Sequence, residues 1–379
     1  MKNTIYQLNS VTNIQMNSYI ITTADGKVIA IDGGFRQDAE NMLNYLRDIT
    51  GQDIPHVDAW FFSHAHLDHI SCFNEIVEKH WDKVSVDHVY YNFPSVQYCM
   101  QEGRGYDSAV EDFQKNLPLF ADKVVTVYGF DTYDFGEAHI EILYSPNPEI
   151  RGNWVNNSSV VFMLTLGGKK ILFLGDAGIE EGNRILALYA GTDKLKADYV
   201  QMAHHGQAGV NKDVYKAIGA NVHLWPTPIW VWNNANKTYQ IDEVREWLYG
   251  ETFLTSSEYD IASCLYKKYP SRPTMAGAWE KVLDYMKIEF PYIVPERPEP
   301  ETEPETEPEV IEPVEHDYVS EGLVAYYSGT QNDRDGHNKD SDKWEDLVGG
   351  HDMKIAKADT NYFSDAGLKT DNAKHKFPE

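Results

Sequence analysis

The sequence has few cysteines, few basic residues and no long hydrophobic run. Its three cysteines, Cys72, Cys99 and Cys264, are widely spaced and odd in number, so no disulfide framework is indicated. Lysine and arginine total 33 against 59 acidic residues, and the net charge of −26 argues against electrostatic binding to nucleic-acid phosphates or anionic membranes. Residues Met1–Leu8 lack the apolar core of a signal peptide. We therefore expect a cytoplasmic protein without a membrane span, for which nucleic acid is at most a substrate.

The first chemical motif places four metal-ligand side chains within six positions. The run Val57–Phe62 has the composition of a buried strand, and His64 and His66 follow it on one side of an extended chain. Asp68 and His69 then open an amphipathic helix. Two imidazoles from the strand end can converge with a carboxylate and an imidazole from the helix start. Such a group suits one or two divalent cations, with zinc favoured and manganese or iron as alternatives.

Asp32 closes a second strand, in the segment Lys27–Gly34. Two interpretations of this aspartate are open. It orients the metal-binding histidines as a supporting carboxylate, or it belongs to an ordinary Asp-Gly turn.

Asp176 and the pair His204-His205 each follow a further apolar strand. Asp176 comes directly after Ile171–Leu174, where it could bridge two cations or simply cap the next helix. Of the two histidines after Asp198–Met202, one is expected to bind metal. Its neighbour, pointing the other way, would donate a proton to a leaving group or bind a substrate oxygen. Which histidine does which is open at this point.

Two later segments complete the predicted first unit. The tryptophans of Val222–Trp232 would either line a substrate pocket or pack in a buried strand and loop, and packing is favoured. Helices are predicted around Ile241–Leu248 and Ala276–Met286. Strands alternate with helices along the unit, which indicates a mixed α/β layered fold.

The chain beyond this unit changes composition. Residues 295–315 contain nine glutamates and one arginine among prolines and threonines, which predicts an extended, self-repelling linker. We expect a first domain over 1–290, a disordered linker over 291–317 and a short β-type segment over 318–379, with strands such as Glu321–Tyr327.

These motifs together resemble the metallo-β-lactamase superfamily over about residues 15–265. Within it, the chain is most similar to the metallohydrolase domain of DNA-uptake competence proteins and to phosphorylcholine esterases, which share the Asn-Ser and His-His features. The resemblance implies an αββα sandwich with a two-metal site at one edge. The residues that match family metal ligands are His64, His66, Asp68, His69, Asp176 and His204 or His205. The tail resembles the start of a laminin-G or concanavalin-like sandwich, which would bind a glycan.

One departure from the family pattern concerns a further ligand histidine, whose position falls near Asn156-Asn157. Its loss makes antibiotic hydrolysis a weaker expectation than phosphoester hydrolysis. The sequence thus predicts a metal-dependent hydrolase that cleaves a phosphodiester with a metal-activated hydroxide, and its catalytic residues would be Asp68, His204 and His205. The alternatives are hydrolysis of a carboxylic ester, lactone or thioester at the same site, and a non-catalytic binding protein that recognises a glycan or partner through its tail.

Overall fold

A computed structural model of the chain describes residues 1–12, 14–103, 108–234, 236–249, 285–290 and 343–345, together with the backbone of short strands between 266 and 368. The chain divides into two compact units, Met1–Arg297 and Pro298–Glu379. In the part that the structure describes, every helix is too short or too polar to span a bilayer.

The first unit contains fifteen strands and eight α-helices within the described residues. The strands are β1 (Thr4–Leu8), β2 (Ser18–Thr22), β3 (Val28–Asp32), β4 (His56–Phe61), β5 (Ser85–Tyr91), β6 (Val124–Thr126), β7 (Thr132–Phe135), β8 (Ala138–Tyr144), β9 (Val161–Leu166), β10 (Lys169–Phe173), β11 (Tyr199–Gln201), β12 (Val222–Leu224), β13 (Tyr266–Lys268), β14 (Trp279–Lys281) and β15 (Tyr285–Glu289). The helices are α1 (Ala39–Thr50), α2 (Leu67–Lys79), α3 (Val96–Cys99), α4 (Ala109–Asn116), α5 (Ile179–Leu188), α6 (Lys212–Ile218), α7 (Ile229–Asn233) and α8 (Ile241–Tyr249).

Two mixed sheets form the centre of this unit. The first has the strand order β15-β1-β2-β3-β4-β5-β6, in which β3 to β6 are parallel and the other pairs antiparallel. The second has the order β12-β11-β10-β9-β8-β7, with β10, β11 and β12 parallel. Parallel neighbours end at the same edge of a sheet, so side chains that follow β3 and β4, or β10 and β11, are brought together there.

Three apolar clusters join four layers. The central cluster contains side chains from both sheets, and the rings of Phe61 and Phe162 lie 5.7 Å apart across it. The outer face of the first sheet packs on α1, α2 and α4, and that of the second packs on α5, α6 and α8. This arrangement confirms the predicted αββα layering.

The amphipathic helices follow their hydrophobic pattern closely. In α2, the predicted apolar positions Ile70, Phe73, Ile76 and Val77 are all buried against the first sheet. Their spacing of three and four residues places them on one face of the helix, and this face anchors the helix start beside the end of β4.

The helix predicted over Ala276–Met286 is wrong. Trp279–Lys281 and Tyr285–Glu289 are strands, and β15 pairs antiparallel with β1 at the end of the first sheet. In β15 the buried side chains of Met286 and Ile288 alternate with more accessible ones, which is the period of a strand. Pairing with β1, which is distant in the chain, determines that β15 is a strand. The local sequence does not indicate that pairing.

In the second unit, the structure describes two short antiparallel strand pairs. Lys343–Trp344 pairs with Met353–Lys354, and Phe363–Ser364 pairs with Gly367–Leu368. The predicted linker 291–317 and the strand Glu321–Tyr327 lie outside the described residues. The domain boundaries and the glycan-binding role of the tail therefore stay predictions.

Candidate active site

The first motif lies in the connection between β4 and α2. The strand ends at Phe61, and the carbonyl of Ser63 accepts a hydrogen bond from the backbone N–H of Val160, which ties the connection to the second sheet. His66 has extended backbone angles and immediately precedes α2. Asp68 and His69 lie in the first turn of that helix, as the sequence predicted. The motif therefore bends around the edge of the sandwich between the two sheets.

Asp32 is buried at the end of β3, directly beside this connection. Its Oδ1 accepts a hydrogen bond from the backbone N–H of Ser63 at 2.8 Å. Its Oδ2 accepts from Ser63 Oγ and from Asn17 Nδ2, both at 2.7 Å, and lies 2.8 Å from Nδ1 of His69. The orienting role predicted for Asp32 matches this geometry, because the carboxylate fixes the ring of His69 with Nε2 directed away from it.

Asp176 joins the two halves of the cluster. Its Oδ1 lies 3.4 Å from Nε2 of His69, and its Oδ2 lies 3.8 Å from Nε2 of His64. Its backbone N–H donates to Ser159 Oγ, and Gly175 before it has a positive φ of 55°. A Cβ at position 175 would lie 2.9 Å from both Ser159 Oγ and Ser63 Cβ, so glycine allows this close approach of the two sheet ends.

His204 and His205 do not continue the strand β11. Both have left-handed backbone angles, with φ of 50° and 55°, which cost a non-glycine residue roughly 1–2 kcal/mol each. Both rings consequently face Asp176, and their Nε2 atoms lie 3.9 Å and 3.4 Å from its Oδ2. The expectation that the second histidine would point the other way is wrong, because it assumed the alternation of an extended chain.

His205 is the more enclosed member of this pair. Its side chain is completely buried, and Nε2 lies 3.0 Å from Oδ2 of Asp68. Its Nδ1 lies 2.9 Å from the carbonyl oxygen of Pro226, so the proton on Nδ1 is donated there and Nε2 faces the carboxylates. The side chain of His204 is 22% exposed and opens toward solvent.

Burial and charge pull the pKa values of the site in opposite directions. Burial alone would lower the pKa of His205, but the carboxylates of Asp176 and Asp68 raise it to about 9. His69 is affected in the same way by Asp176 and Asp32, and its pKa is raised well above the usual value. Burial holds the pKa of His64 well below its usual value. Protons on His69 and His205 thus balance the buried carboxylates when no cation does so.

The donor set fits divalent metal ions. Asp68, His69, Asp176 and His205 each direct one ligand atom into a common space in which these atoms lie within 4.8 Å of one another. Nε2 of His69 and Oδ1 of Asp176 are buried there without a hydrogen-bond partner, and Nε2 of His66 is a further buried atom without one. Buried polar atoms are rarely left unpaired, and imidazole with carboxylate suits zinc, iron and manganese. The described residues therefore contain a His/Asp cluster able to hold divalent metal.

His64 lies beside this group, with its ring centroid 4.0 Å from that of His69 and its Nε2 3.8 Å from Oδ2 of Asp176. Nε2 of His64 and Nδ1 of His66 are 3.1 Å apart, as expected if both atoms serve a common centre. The structure therefore brings all of the predicted ligand residues, and both members of the His204-His205 pair, to one edge of the sandwich.

Asn157, near which the sequence analysis expected the position of a further ligand histidine, makes structural hydrogen bonds through its amide. Asn157 Oδ1 accepts a hydrogen bond from the backbone N–H of Gly178, and its Nδ2 donates to the carbonyl of Gly152, each at 3.0 Å. The side chain of Asn157 therefore holds the loop that follows Asp176. The amide of Asn156 donates to Asn153 Oδ1, while Oδ1 of Asn156 is buried without a partner.

The tryptophan-rich segment divides between core and surface. Trp225 is buried, and its ring meets that of Trp232 edge to face at 5.4 Å. Trp230 is 38% exposed. These contacts agree with the favoured packing interpretation for Trp225 and Trp232, and the segment ends in α7 and not in a loop.

Glu181 is a buried carboxyl that the sequence analysis missed. It lies in the first turn of α5, and burial raises its pKa well above the usual value although the backbone N–H of Ser159 lowers it in part. The sequence gives no signal for it, since glutamate is common and favourable in the first turn of an exposed helix. A second acidic group, formed by His56, Asp58 and Asp87, is half exposed and already includes the ammonium of Lys27 at 2.7 Å from Asp58.

The chain is similar to several solved structures. Among solved structures, the chain is similar to the metallo-beta-lactamase fold protein YhfI from Bacillus subtilis, at 13% identity and a TM-score of 0.36, covering 58% of this chain and 85% of that one. It is similar to CmlA, a diiron beta-hydroxylase from Streptomyces venezuelae, at 13% identity and a TM-score of 0.36, covering 60% and 46%. A diphosphatase from the PhnP family is 11% identical with a TM-score of 0.35, covering 61% and 91%.

No match is found among the curated proteins. The sequence matches the metallo-beta-lactamase superfamily over residues 11–215, the segment that contains β2 to β11 and every residue of the His/Asp cluster. Because this match covers more than half of the chain, the protein belongs to the metallo-beta-lactamase superfamily.

Proposed function

We propose that this protein is a metal-dependent hydrolase that cleaves phosphodiesters. The observation that carries the proposal is that the two oxygens of Asp176 face different histidines, with Oδ2 3.8 Å from His64 Nε2 and Oδ1 3.4 Å from His69 Nε2. A carboxylate shared in this way suits two cations, which supply an activated water and Lewis acidity toward phosphoryl oxygens when they are bound.

The side chains of the cluster would divide the remaining work by their accessibility. His205 is completely buried against Asp68 and Asp176, so it maintains the geometry and does not contact substrate. The side chain of Asp68 is 11% exposed, against 2% for Asp176, and it orients the attacking water. His204 is the member of its pair that faces the substrate. The ends of β4, β10 and β11 hold these groups in place before the substrate arrives.

The choice of substrate class rests on two sequence features. Asn157-Ser158-Ser159 and His204-His205-Gly206 resemble the competence-protein metallohydrolase domains and phosphorylcholine esterases. Both features lie beside the cluster in this chain. Ser159 Oγ accepts a hydrogen bond from the backbone N–H of Asp176, and Gly206, with a positive φ of 77°, packs closely on the ring of Trp225. Zinc is the expected metal, with manganese and iron as alternatives.

The test compares four substrates with one variant and one matched control. Wild type, Asp68→Ala and Asp87→Ala would be assayed on bis(4-nitrophenyl) phosphate, a phosphorylcholine ester, single-stranded DNA and a lactone, with added zinc or manganese. Asp87 is an exposed aspartate on β5, outside the cluster, so its variant should behave as wild type. We expect turnover of at least one phosphodiester that is lost in Asp68→Ala. Turnover of the lactone alone would replace this proposal with the ester hydrolase alternative.

A further inference from the structure

Phe130 presents a large apolar ring to solvent from a strained backbone position. It is the third residue of the turn 128–131, which connects β6 to β7 and is closed by a hydrogen bond from the backbone N–H of Asp131 to the carbonyl of Tyr128. Phe130 is 65% exposed, and its φ of 78° lies in the region that favours glycine and that bulky residues rarely adopt. An exposed ring gains little from burial, so the fold itself gives no reason for phenylalanine here. Backbone strain of this kind is often found where a protein binds a ligand.

The turn is attached to two segments that line a cavity. The carbonyl of Val127, directly before the turn, accepts a hydrogen bond from Asn92 Nδ2 at 2.8 Å. The backbone N–H of Gly129 donates to Ser145 Oγ at 3.3 Å. Asn92 lines the cavity, and so does Pro146, the residue after Ser145. The turn that carries Phe130 therefore lies next to the cavity.

The cavity, which we call the proline pocket after Pro94, Pro146 and Pro148, has a volume of about 250 Å³. Its other lining residues are one tyrosine, two asparagines and two serines, so the lining is uncharged and largely apolar. A cavity of about 150 Å³ is enough to bind benzene. The proline pocket can therefore hold one aromatic ring, but it is too small for a larger assembly of rings.

Tyr98, the aromatic residue of the proline pocket, is held in place before any ligand binds. Its hydroxyl donates to the carbonyl of Ile150 at 3.0 Å, and its ring meets that of Trp154 edge to face at 5.2 Å. A fixed apolar surface of this kind reduces the entropy that is lost when a ring packs against it.

The proline pocket lies at the edge of the sandwich that carries the His/Asp cluster. Ser158 lines the pocket, and Oγ of the next residue, Ser159, accepts from the backbone N–H of Asp176 at 3.0 Å. Asn92 follows β5, which is the parallel neighbour of β4, so it leaves the first sheet at the same edge as His64 and about 5 Å to the side. A group joined to a phosphoryl unit at the cluster can therefore reach the pocket.

We propose that the proline pocket, together with the ring of Phe130 beside it, binds a planar aromatic group of the substrate. The inference rests on the proposed phosphodiesterase function and names its substrate class, which is a phosphodiester of an aryl alcohol or of a nucleoside. Among the described residues, the lining offers one aromatic ring and no carboxylate, whereas a quaternary ammonium is typically bound by several aromatic rings. Choline esters are therefore the disfavoured substrates.

The experiment measures binding and not turnover. Zinc-loaded wild type and variants would be titrated by calorimetry with phenyl phosphate, methyl phosphate, thymidine 5′-monophosphate and phosphorylcholine, which correspond to products of phosphodiester cleavage. Phe130→Asn removes the ring, and asparagine tolerates the left-handed backbone. Tyr98→Leu removes the ring in the pocket, and Tyr98→Phe retains it. Ile54→Asn is the matched control, because Ile54 is 57% exposed and precedes β4, at the opposite edge of the sheet from the cluster.

We expect wild type to bind phenyl phosphate about 10–100-fold more tightly than methyl phosphate, and phosphorylcholine no more tightly than methyl phosphate. Phe130→Asn and Tyr98→Leu should each reduce this preference at least about fivefold, whereas Tyr98→Phe and Ile54→Asn should retain it. If thymidine monophosphate depends on Phe130 in the same way, the ring is a nucleobase. If only phenyl phosphate does, the ring is an aryl group, and either result supports the proposal. Equal affinity for phenyl and methyl phosphate, or no measurable binding of phenyl phosphate, would overturn it.

The melting temperature separates ligand binding from a role in folding. Phe130→Asn should melt at the same temperature as wild type or higher, since it relieves strain at an exposed position. A lower melting temperature with an unchanged phenyl preference would assign Phe130 to the fold and contradict its role in binding. A phenyl preference without turnover of any phosphodiester would remove the proposed function and leave the pocket standing, and turnover without a phenyl preference would do the reverse.

Discussion

Oδ2 of Asp32 lies 2.8 Å from Nδ1 of His69, and both side chains are completely buried. The first residue ends β3 and the second lies in the first turn of α2, so this contact joins two elements that are 37 positions apart in the chain. It holds His69 so that Nε2 faces Asp176.

Removing the charge at position 32 should weaken metal binding without removing a ligand. In Asp32→Asn the amide must present its N–H₂ to donors from Ser63, Asn17 or His69, so the ring of His69 loses its fixed orientation. We expect metal affinity to fall about 10–100-fold, as for other residues that act through a ligand histidine. Competition for zinc with a chromophoric chelator measures the metal affinity. Asp48→Asn on the exposed face of α1 is the control, and unchanged affinity in Asp32→Asn would show that the contact only stabilises the fold.

Replacing the carboxylate of Asp176 should reduce bound metal and hydrolysis more than replacing any other single ligand. In Asp176→Asn the site loses the carboxylate that faces both His64 and His69, so we expect the bound metal per chain to approach zero and hydrolysis to fall by more than about 100-fold. Metal analysis and steady-state assays measure these effects, with the exposed Asp193→Asn as control. Retention of one full equivalent of metal would show that the remaining side chains bind a metal ion without Asp176.

Metal binding should strengthen as the pH rises toward about 9. A metal ion binds the neutral imidazole, and the carboxylates of Asp176 and Asp68 raise the pKa of His205 to about 9, so below that pH the ring must release its proton. Calorimetric titration with zinc in two buffers of different ionisation enthalpy should therefore detect proton release at pH 7. His139→Gln, at an exposed position on β8, should release the same amount, and His205→Asn should release less. Equal release in all three proteins would contradict the prediction.

Asn157 should contribute to stability and not to metal binding. Asn157→Ala leaves the buried N–H of Gly178 and the carbonyl of Gly152 without their partners, which costs about 1–3 kcal/mol of unfolding free energy. Urea denaturation measures the loss, and the exposed Asn221→Ala should show little change. A drop in metal content at full stability would instead place Asn157 among the ligands.

Replacing Glu181 by glutamine should make the thermal stability of the protein depend less on pH. Burial raises the pKa of this carboxyl, so its folded form keeps the proton longer than its unfolded form does. Its contribution to stability is full below the ordinary pKa of 4.5 and is lost progressively as the pH rises through the raised value. The melting temperature of Glu181→Gln should therefore decrease less steeply between pH 5 and pH 9 than that of wild type. Glu180→Gln, whose altered side chain is exposed, should behave as wild type. Parallel curves would contradict this.

Most of the layered fold could be predicted from local patterns. The amphipathic pattern that begins at Asp68 predicted α2, and the apolar runs before Ser63 and Gly175 predicted β4 and β10. The helix predicted over Ala276–Met286 failed because β15 takes its conformation from pairing with β1, at the other end of the unit. Hydrophobic periodicity indicates which side chains of a segment are buried, but it does not indicate which strand the segment pairs with.

The candidate site was predicted in its membership but not in its arrangement. Three strand ends with histidine or aspartate indicated that His64, Asp176 and His205 belong to one site. The parallel strands β10 and β11 end at the same edge of the second sheet and bring Asp176 to His205, whereas His64 follows β4 of the first sheet and reaches them only through the packing of the two sheets. The left-handed backbone of His204 and His205, which turns both rings toward Asp176, has no signature in the residue types. Glu181 was missed for a similar reason, since its burial depends on the loop before β9.

The sequence by itself determined which side chains are available for chemistry and which strand or helix each of them follows, because side-chain type and hydrophobic period are local properties. Only the tertiary structure decided that His204 and His205 face the same carboxylate, that Asn157 is a loop clamp, and that Asp32 holds His69. Each of these facts depends on contacts between residues at least 21 positions apart in the chain, and such contacts form only when neighbouring strands pair and bring the segments after them together.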